Sequence, residues 1–355
     1  MTAHDSAPLR VLFLGGTGTI SASCVRLAAA SGMRVTVLTR GADPNDRALP
    51  TSVERVTGDA TDDDSVRSAL GERTFDAVVN FLSFDAADVA RCVALFTGRT
   101  RQYVHISSAS IYAKPILLTP ITESTPVGPN PPLPYATAKW EAEKALAAAH
   151  EEQGFPVTVV RPSHTYDDAT PPLPGGWTVV DRLARGAEVP VHGDGTSLWT
   201  VTHAEDFAQG LVGLLGSDRA IGETFHITGE DVLTWDQIHT LFAAALGVRP
   251  RLVHVASELY PVVAPEWFWS GEVVGDLGHS AVFDTSKIRR FVPGYAPRLT
   301  LERSVRRMLD WRAAHPRAAA GDAATEEVLD RVVDAYHAAY AAFADRAPTP
   351  PGGRS

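Results

Sequence analysis

A tyrosine and a lysine four positions apart are the residues whose chemistry and spacing are most informative. Tyr135 and Lys139 stand at the start of a helical pattern, YATAKWEAEKALAAAHEEQ, and residues four apart lie on one helix face. The chain has eight tyrosines and four lysines in 355 residues, so roughly 0.1 such pairs are expected by chance. Ser108, at the end of the strand-like run RQYVHISS, adds a hydroxyl where ligands of an open α/β sheet gather.

A glycine-rich turn is the second functional pattern. Gly15, Gly16 and Gly18 follow the first apolar run directly, in LRVLFLGGTGTIS, and precede a helical pattern. Such a turn lets the backbone approach a pyrophosphate, which the N-terminus of the next helix also attracts. The sequence therefore predicts a nicotinamide dinucleotide cofactor, NAD(P), with Ser21 at the position of the third glycine of the motif.

The two patterns together predict hydride chemistry. A phenol with an ordinary pKa near 10 is a poor base at neutral pH. A neighbouring ammonium and a positive nicotinamide ring favour the phenolate, and lowering the pKa by about 3 takes roughly 4 kcal/mol. We therefore predict that Tyr135 exchanges a proton with a substrate hydroxyl or ketone while hydride passes to or from the cofactor. Lys139 is also expected to hold the nicotinamide ribose, and Ser108 to bind the reacting oxygen.

The residues after the second and third strands indicate which dinucleotide is bound. NAD sites commonly carry Asp or Glu after the second strand, whereas this chain has Thr39 and Arg40. Arg40 can pair with a 2′-phosphate, which favours NADP over NAD; the alternative is a solvated arginine. Asp59 is expected either to meet the adenine amino group or to act as a turn or N-cap residue.

A parallel sheet is needed to bring these residues together. Strand-like runs lie at 9–15, 34–39, 53–59, 75–82, 101–108 and 155–162, separated by helical patterns that include 62–70 and 85–97. This alternation predicts βαβ units in an α/β protein with a doubly wound parallel sheet. Residues 113–134, rich in Pro and Thr, are predicted to form a long loop, and loops of that size are usually functional.

Composition excludes several other classes of protein. Hydrophobic residues make up 45% and charged residues 21%, as in globular domains. No apolar run reaches the roughly 20 residues of a membrane helix, and the N-terminus lacks a secretory signal, so a cytoplasmic protein without membrane contact is expected. A net charge of −10 with scattered arginines opposes nucleic acid as a partner. Cys24, Cys92 and the histidines lack metal-ligand spacing, so no metal is expected.

These motifs together resemble the extended short-chain dehydrogenase/reductase family, in its NAD-dependent epimerase/dehydratase group. The resemblance covers residues 9 to about 310 and rests on GGTGTIS, Gly58-Asp59, SSASIY, YATAK, RP at 161–162, HGDGTSLWTVTHAEDFA (192–208) and FDTSKIRRFVPGYAP (283–297). It implies a Rossmann domain with a smaller α/β substrate-binding domain and a catalytic set on Ser108, Tyr135 and Lys139. It also implies a homodimer formed through helices at about 85–97 and 135–152.

The expected domain boundaries and site residues follow from the motifs and the resemblance. The Rossmann domain spans 8–162 with returning segments near 192–228, the substrate-binding region spans 163–191 and 229–315, a C-terminal helix spans 316–346, and 347–355 form a disordered tail. The expected cofactor-contacting residues are Gly15, Thr17, Gly18, Thr19, Ile20, Arg40, Asp59, Ala60, Asn80, Leu82, Tyr135, Lys139, Pro162 and His164. The expected substrate-contacting residues are Ser110, Tyr166, Trp199, His203 and Trp267.

Two departures from the family pattern bear on the reaction. Dehydratases of the family carry an Asp-Glu pair after the catalytic hydroxyl residue, where this chain has Ala109 and Ser110, so water elimination is not expected. Many sugar-nucleotide epimerases carry an arginine in the stretch that here contains Trp199. An indole cannot make the bidentate, charged hydrogen bonds that arginine makes to phosphate, although it can stack on a ring or fill the core. A standard UDP-sugar is therefore disfavoured.

Three functional hypotheses remain open. An epimerase would oxidise a secondary hydroxyl of a sugar or sugar-nucleotide-like substrate and return hydride to the other face, with no net change in the cofactor. An NADPH-dependent ketone reductase or alcohol dehydrogenase of a small metabolite would show a steady change in the absorbance of the reduced cofactor. A non-catalytic RNA-binding relative is opposed by the intact Ser108, Tyr135 and Lys139 and by the net charge of −10.

Overall fold

The computed structural model describes residues 7–41 and 47–345, and its largest element is a seven-stranded sheet. The strands are β1 (Arg10–Leu14), β2 (Arg34–Thr39), β3 (Glu54–Thr57), β4 (Ala77–Asn80), β5 (Tyr103–Ile106), β6 (Val157–Pro162) and β10 (Thr224–Ile227). Their order is β10-β6-β5-β4-β1-β2-β3, and every neighbouring pair is parallel. The chain order reverses direction between β1 and β4, which places a ligand crevice at their carboxyl ends. The predicted α/β Rossmann-type sheet is confirmed.

Helices cover both faces of this sheet, which explains the continuous apolar strands. They are α1 (Ser21–Ala30), α2 (Asp63–Leu70), α3 (Ala86–Phe96), α4 (Pro134–Gln153) and α6 (Ala204–Leu214). The core of one face includes residues of α1 and α6, and the core of the other includes residues of α2, α3 and α4. Helix α4 begins with a proline in its first turn and ends at Gly154 in the left-handed conformation, an arrangement typical of helix ends.

A smaller region packs on the carboxyl edge of the large sheet. Its strands are β7 (His164–Tyr166), β8 (Glu188–His192), β9 (Leu198–His203), β11 (Asp231–Thr234) and β12 (Arg251–Val255). They form a three-stranded sheet, β11-β9-β7, and a two-stranded sheet, β12-β8. The remaining helices are α5 (Trp177–Ala184), α7 (Trp235–Ala245), α8 (Leu259–Val263), α9 (Phe268–Glu272), α10 (Ser286–Phe291), α11 (Leu301–Ala314) and α12 (Ala323–Ala344). No helix in the described part of the chain combines the length and apolarity needed to span a bilayer.

The boundary between the two regions differs from the prediction in two places. Strand β9, predicted to return to the Rossmann domain, pairs with β7 and β11 in the small sheet. Of the segment 192–228, only the part from α6 onward belongs to the large sheet: α6 packs on it, and β10 pairs with β6. Conversely, α10 was predicted in the substrate-binding region but contacts α6 and β10. Apolar strand patterns identify a strand without identifying its sheet, which is why sequence placed these segments wrongly. The predicted tail, 347–355, lies outside the described residues.

Candidate active site

A cleft with a volume of about 860 Å³ lies at the carboxyl ends of β1, β2 and β4, within the range of about 300–1,000 Å³ typical of ligand sites. The glycine turn, residues 15–18, lines this cleft. Gly15 has a φ of 76°, and a Cβ built on Gly16 would lie 2.5 Å from Val37 Cγ1, so the turn tolerates no side chain at that position. Among the described residues no side chain caps the N-terminus of α1, and Ile20 and Ser21 at that end of the helix line the cleft. These features fit a bound pyrophosphate.

Most of the predicted cofactor residues line this cleft. They are Gly15, Thr17, Gly18, Thr19, Ile20, Arg40, Asp59, Ala60, Leu82, Tyr135, Lys139 and Pro162. Asn80 and His164 are not among the residues that line it, and their role as cofactor contacts stays a prediction. Asn80 is buried; its side-chain amide donates to the Tyr103 hydroxyl at 2.8 Å and accepts from the Leu82 N–H at 2.7 Å. It therefore positions Leu82, whereas His164 lines a second cavity.

Charged residues at the far end of the cleft bear on cofactor selection. Arg40 is exposed there beside Asp59. The Asp59 carboxylate accepts from the Thr61 N–H and hydroxyl at 2.9 and 2.7 Å, and these hydrogen bonds, with Arg40 nearby, lower its pKa. Arg47 also lines the cleft, although no sequence signal indicated it. Its Nε donates to the Asp167 carboxylate at 2.6 Å, which fixes the guanidinium at the cleft wall.

Lys139 is held at the inner end of the cleft. Its Nζ donates to the carbonyl oxygens of Ser83 and Ile106 at 2.7 and 2.8 Å, and only 2% of the residue is exposed. Burial lowers its pKa to about 8. The ammonium lies 4.6 Å from the centroid of the Phe84 ring and 5.8 Å from that of Tyr135. The predicted pairing of Lys139 with Tyr135 on one helix face is therefore present.

The ionisation of Tyr135 in the protein without its cofactor is governed by burial. Burial, together with the nearby carboxyl of Glu272, raises its pKa to about 12, while hydrogen bonding with Ser108 acts in the opposite direction. Desolvation therefore dominates although the Lys139 ammonium lies 5.8 Å from the ring centroid. The lower pKa expected when Lys139 and a positive nicotinamide ring both lie beside the phenol stays a prediction. The phenol is a neutral proton donor at physiological pH.

Ser108 lies next to Tyr135 at the start of a short 3₁₀ turn, Ala109–Ile111. Its Oγ accepts from the Ser110 N–H at 3.2 Å and lies 2.7 Å from Ser110 Oγ. Ser108 therefore ends the strand as a turn residue and also presents its hydroxyl to the site. Both Ser108 and Tyr135 line the cleft and a second cavity beside it.

The second cavity has a volume of about 370 Å³ and combines aromatic rings with carboxyl groups. Of the predicted substrate contacts, Ser110 and Trp199 line it, and His164 joins them. Trp269 also lines it, and the lining residues that were not expected from the sequence include Phe268, Glu272 and Asp276. Their signal was present in the aromatic and acidic run EWFWSGEVVGD. No lysine or arginine within residues 7–41 and 47–345 is among its lining side chains.

The three other predicted substrate contacts line neither cavity and make contacts within the protein, so their role toward a substrate stays a prediction. The buried Tyr166 hydroxyl donates to Ser304 Oγ at 3.3 Å. His203 Nδ1 accepts from the Glu205 N–H at 3.1 Å and caps α6. The Trp267 ring stacks on Tyr260, with centroids 6.3 Å apart.

One cluster on the described surface has the residue types of a metal site. Asp168, His203 and Glu205 bring potential ligand atoms within 4.8 Å of one another. Arg307 already pairs with both carboxylates, at 2.7 Å to Asp168 and 2.5 Å to Glu205. The guanidinium offsets one of the two negative charges and donates hydrogen bonds to both carboxylates.

Comparisons with known proteins agree with this site. A sequence profile described as the NAD dependent epimerase/dehydratase family matches residues 11–228. The chain is 30% identical to 2′-dehydrokanamycin reductase of Streptomyces kanamyceticus, over 82% of this chain and 81% of that protein. It is 29% identical to the chloroplast stem-loop binding protein of 41 kDa b of Arabidopsis thaliana, over 70% of this chain and 66% of that protein. Among solved structures, the dTDP-glucose 4,6-dehydratase DesIV of Streptomyces venezuelae, with NAD bound, superposes with a TM-score of 0.68 at 23% identity, covering 86% of this chain and 98% of that one. This chain therefore belongs to the NAD-dependent epimerase/dehydratase family.

Proposed function

We propose that this protein reduces a ketone on a carbohydrate-like substrate to a secondary alcohol, with hydride supplied by NADPH, and that it also catalyses the reverse oxidation. The observation that carries the proposal is the position of Ser108 and Tyr135, which line both the dinucleotide cleft and the second cavity. A carbon atom bound in the second cavity beside these hydroxyls faces the cleft in which the nicotinamide is expected.

The protein groups have complementary roles in this reaction. Ser108 donates a hydrogen bond to the ketone oxygen, and Tyr135 transfers its proton to that oxygen as the alcohol forms. A pKa of about 12 keeps Tyr135 protonated, so it is ready for reduction without a prior proton transfer. The Lys139 ammonium stabilises the phenolate that remains, and it is charged below pH 8 because its pKa is about 8. The bound cofactor supplies the hydride.

The lining of the second cavity supports a substrate without a nucleoside diphosphate. A diphosphate needs cationic or amide donors, and no arginine or lysine of the described residues lines this cavity. Ala109 and Ser110 carry no carboxyl group beside Ser108, so elimination of water is not part of the proposal. The relative named 2′-dehydrokanamycin reductase supports reduction as the net reaction.

Epimerisation is the second candidate, favoured by the space around Tyr135. The second cavity, at about 370 Å³, is large enough for a ketone intermediate of the size of one sugar ring to turn before hydride returns. The relative named as a stem-loop binding protein suggests RNA binding instead, but the net charge of −10 opposes a polyanionic partner.

We also propose that NADP is preferred over NAD. Arg40 lies in the cleft at the end of β2, where a ribose 2′-phosphate would be placed. A guanidinium there forms charge-assisted hydrogen bonds to phosphate. The neighbouring Asp59 carboxylate is engaged by Thr61, which leaves Arg40 to face the added anion.

The test is a substrate panel with NADPH, comprising 2′-dehydrokanamycin, simple keto sugars and dTDP-glucose. We expect reduced cofactor to be consumed in step with a product that has gained two hydrogen atoms, for at least one ketone of the panel. Tyr135→Phe should abolish this turnover, whereas Tyr340→Phe, at a tyrosine that is 66% exposed, should not. Interconversion of isomers without net cofactor consumption would instead establish epimerisation, and loss of water from dTDP-glucose would overturn the proposal.

A further inference from the structure

We propose that the second cavity binds a substrate that carries a primary ammonium group, held by the carboxylate of Glu272 beside the indole rings of Trp199 and Trp269. This inference rests on the proposed function, because the cavity is the one that Tyr135 shares with the dinucleotide cleft.

The backbone around Glu272 directs two carboxyl groups toward this cavity. Glu272 is the last residue of α9, and the chain continues directly into a π-helical turn, Val273–Leu277. Asp276 follows four residues later, and both acids line the cavity. Such π-helical turns are often found at functional sites, because the wider turn re-aims its side chains.

The two acids differ in their partners. Asp276 forms an ion pair with Lys114, whose Nζ lies 2.6 Å from Asp276 Oδ1, and both side chains are at most 10% exposed. The Glu272 carboxyl makes no hydrogen bond or ion pair with residues 7–41 or 47–345. The Glu272 side chain is half-buried, and a carboxylate partly removed from water without a partner is costly. Glu272 thus lacks the cation that Asp276 already has. A ligand ammonium would supply it.

The walls of the cavity favour an ammonium over an anion. Trp199 and Trp269 contribute aromatic rings, whose faces attract cations. The Trp199 Nε1–H donates to the Leu277 carbonyl at 3.0 Å, which fixes the ring in place. His164, between the two indoles, is half-buried, and desolvation lowers its pKa to about 4. It is therefore neutral and does not repel a bound cation.

Binding of an ammonium should release a proton near neutral pH. Burial, and then the negative charge of Asp276, raise the pKa of Glu272 to about 8, while Lys114 acts in the opposite direction. At pH 7 the carboxyl of the free protein is thus mainly protonated, and it ionises when the ammonium arrives. The other titratable groups that face Glu272 are Tyr135, whose pKa is about 12, and His164, whose imidazole is neutral at pH 7 because its pKa is about 4. Lys139, with a pKa of about 8, faces the cleft side of Tyr135.

The experiment compares D-glucosamine with N-acetyl-D-glucosamine as ligands of the full chain saturated with NADPH, so that oxidation of the ligand cannot contribute a proton. Calorimetry at pH 7 in phosphate and in MOPS buffer, neither of which carries a primary ammonium, gives both the Kd and the number of protons released. We expect the amine to bind at least about tenfold more tightly than the acetamide, as is typical of a buried charged hydrogen bond, with release of close to one proton. In Glu272→Gln the preference should fall to about twofold or less and the proton release should disappear. Glu327→Gln, at an exposed glutamate of α12, should retain both.

Equal affinity of the wild-type protein for the amine and the acetamide would overturn the inference, as would a preference that survives in Glu272→Gln. If that variant fails to fold, the wild-type comparison of the two ligands and the two buffers decides alone. Because no turnover is required, failure of this inference is distinguishable from failure of the proposed reaction, which appears as absence of Tyr135-dependent cofactor oxidation with every ketone.

Discussion

The substitution Glu272→Gln should make the protein more stable at alkaline pH and leave it nearly unchanged at pH 5. The folded state raises the pKa of this carboxyl from 4.5 to about 8, so the folded state binds the proton more tightly than the unfolded state does. The stability that this proton contributes is complete below pH 4.5 and is lost as the pH rises to about 8. Glutamine does not ionise and escapes this loss.

The magnitude follows from the difference between the two pKa values. A difference of about 3.5, at about 1.36 kcal/mol for each pH unit, sets an upper limit of about 5 kcal/mol. Glu272 lies at a cavity that solvent enters, which reduces the effect, and we expect about 2 kcal/mol. For a chain of 355 residues, that corresponds to an increase in Tm of about 3 °C at pH 8.5.

The assay is thermal unfolding of the wild-type protein and Glu272→Gln from pH 5 to pH 8.5. Glu327→Gln serves as the matched control, because Glu327 is exposed. The difference in Tm between Glu272→Gln and wild type should grow steadily with pH, and that of the control should not. If the Tm of Glu272→Gln minus the Tm of wild type were the same at pH 5 and pH 8.5, or negative at pH 8.5, Glu272 would not be an unpaired carboxyl whose pKa is raised by desolvation.

Two further predictions concern the dinucleotide cleft. Arg40→Ala should raise the Kd for NADP⁺ about tenfold and change that for NAD⁺ by less than about twofold in fluorescence titrations; equal weakening would show that Arg40 does not contact the 2′-phosphate. Gly16→Ala should weaken binding of both dinucleotides and lower Tm, because its methyl group would lie 2.5 Å from Val37 Cγ1. Gly294→Ala, where a methyl group meets no atom of the described residues within 4 Å, should leave both the Kd and Tm unchanged. A normal Kd for Gly16→Ala would show that the turn has room for a side chain.

The sheet and the catalytic helix could be predicted because their signals are local in sequence. Buried parallel strands such as β1 are continuous apolar runs, and the glycine turn must follow the first of them. Tyr135 and Lys139 are one helical turn apart, so their juxtaposition needs no knowledge of the tertiary structure. These local patterns are therefore sufficient to predict where the dinucleotide cleft lies and which helix carries Tyr135 and Lys139 beside it.

The second cavity could not be predicted, because it is built from separate segments of the chain. Ser110, Trp199 and Glu272 come from a strand-end turn, the small sheet and α9, and no periodic pattern links them. The raised pKa of Tyr135 in the protein without its cofactor could not be predicted for the same reason. Desolvation by the surrounding residues and the charge of Glu272, 137 positions later in the chain, are its main causes. Tyr166 and His203 resemble ligand contacts in sequence, yet they satisfy buried hydrogen bonds.

The most direct test of Tyr135 as the proton donor is the kcat of Tyr135→Phe, measured together with its Kd for the dinucleotide. The phenol hydroxyl lies beside Ser108 at the junction of the two cavities, and phenylalanine removes the proton while keeping the ring. We predict a kcat at least about 100-fold lower, the usual effect of losing an acid or base, with dinucleotide affinity unchanged within about threefold. A variant that retains more than about a tenth of the wild-type kcat would show that Tyr135 does not transfer the proton.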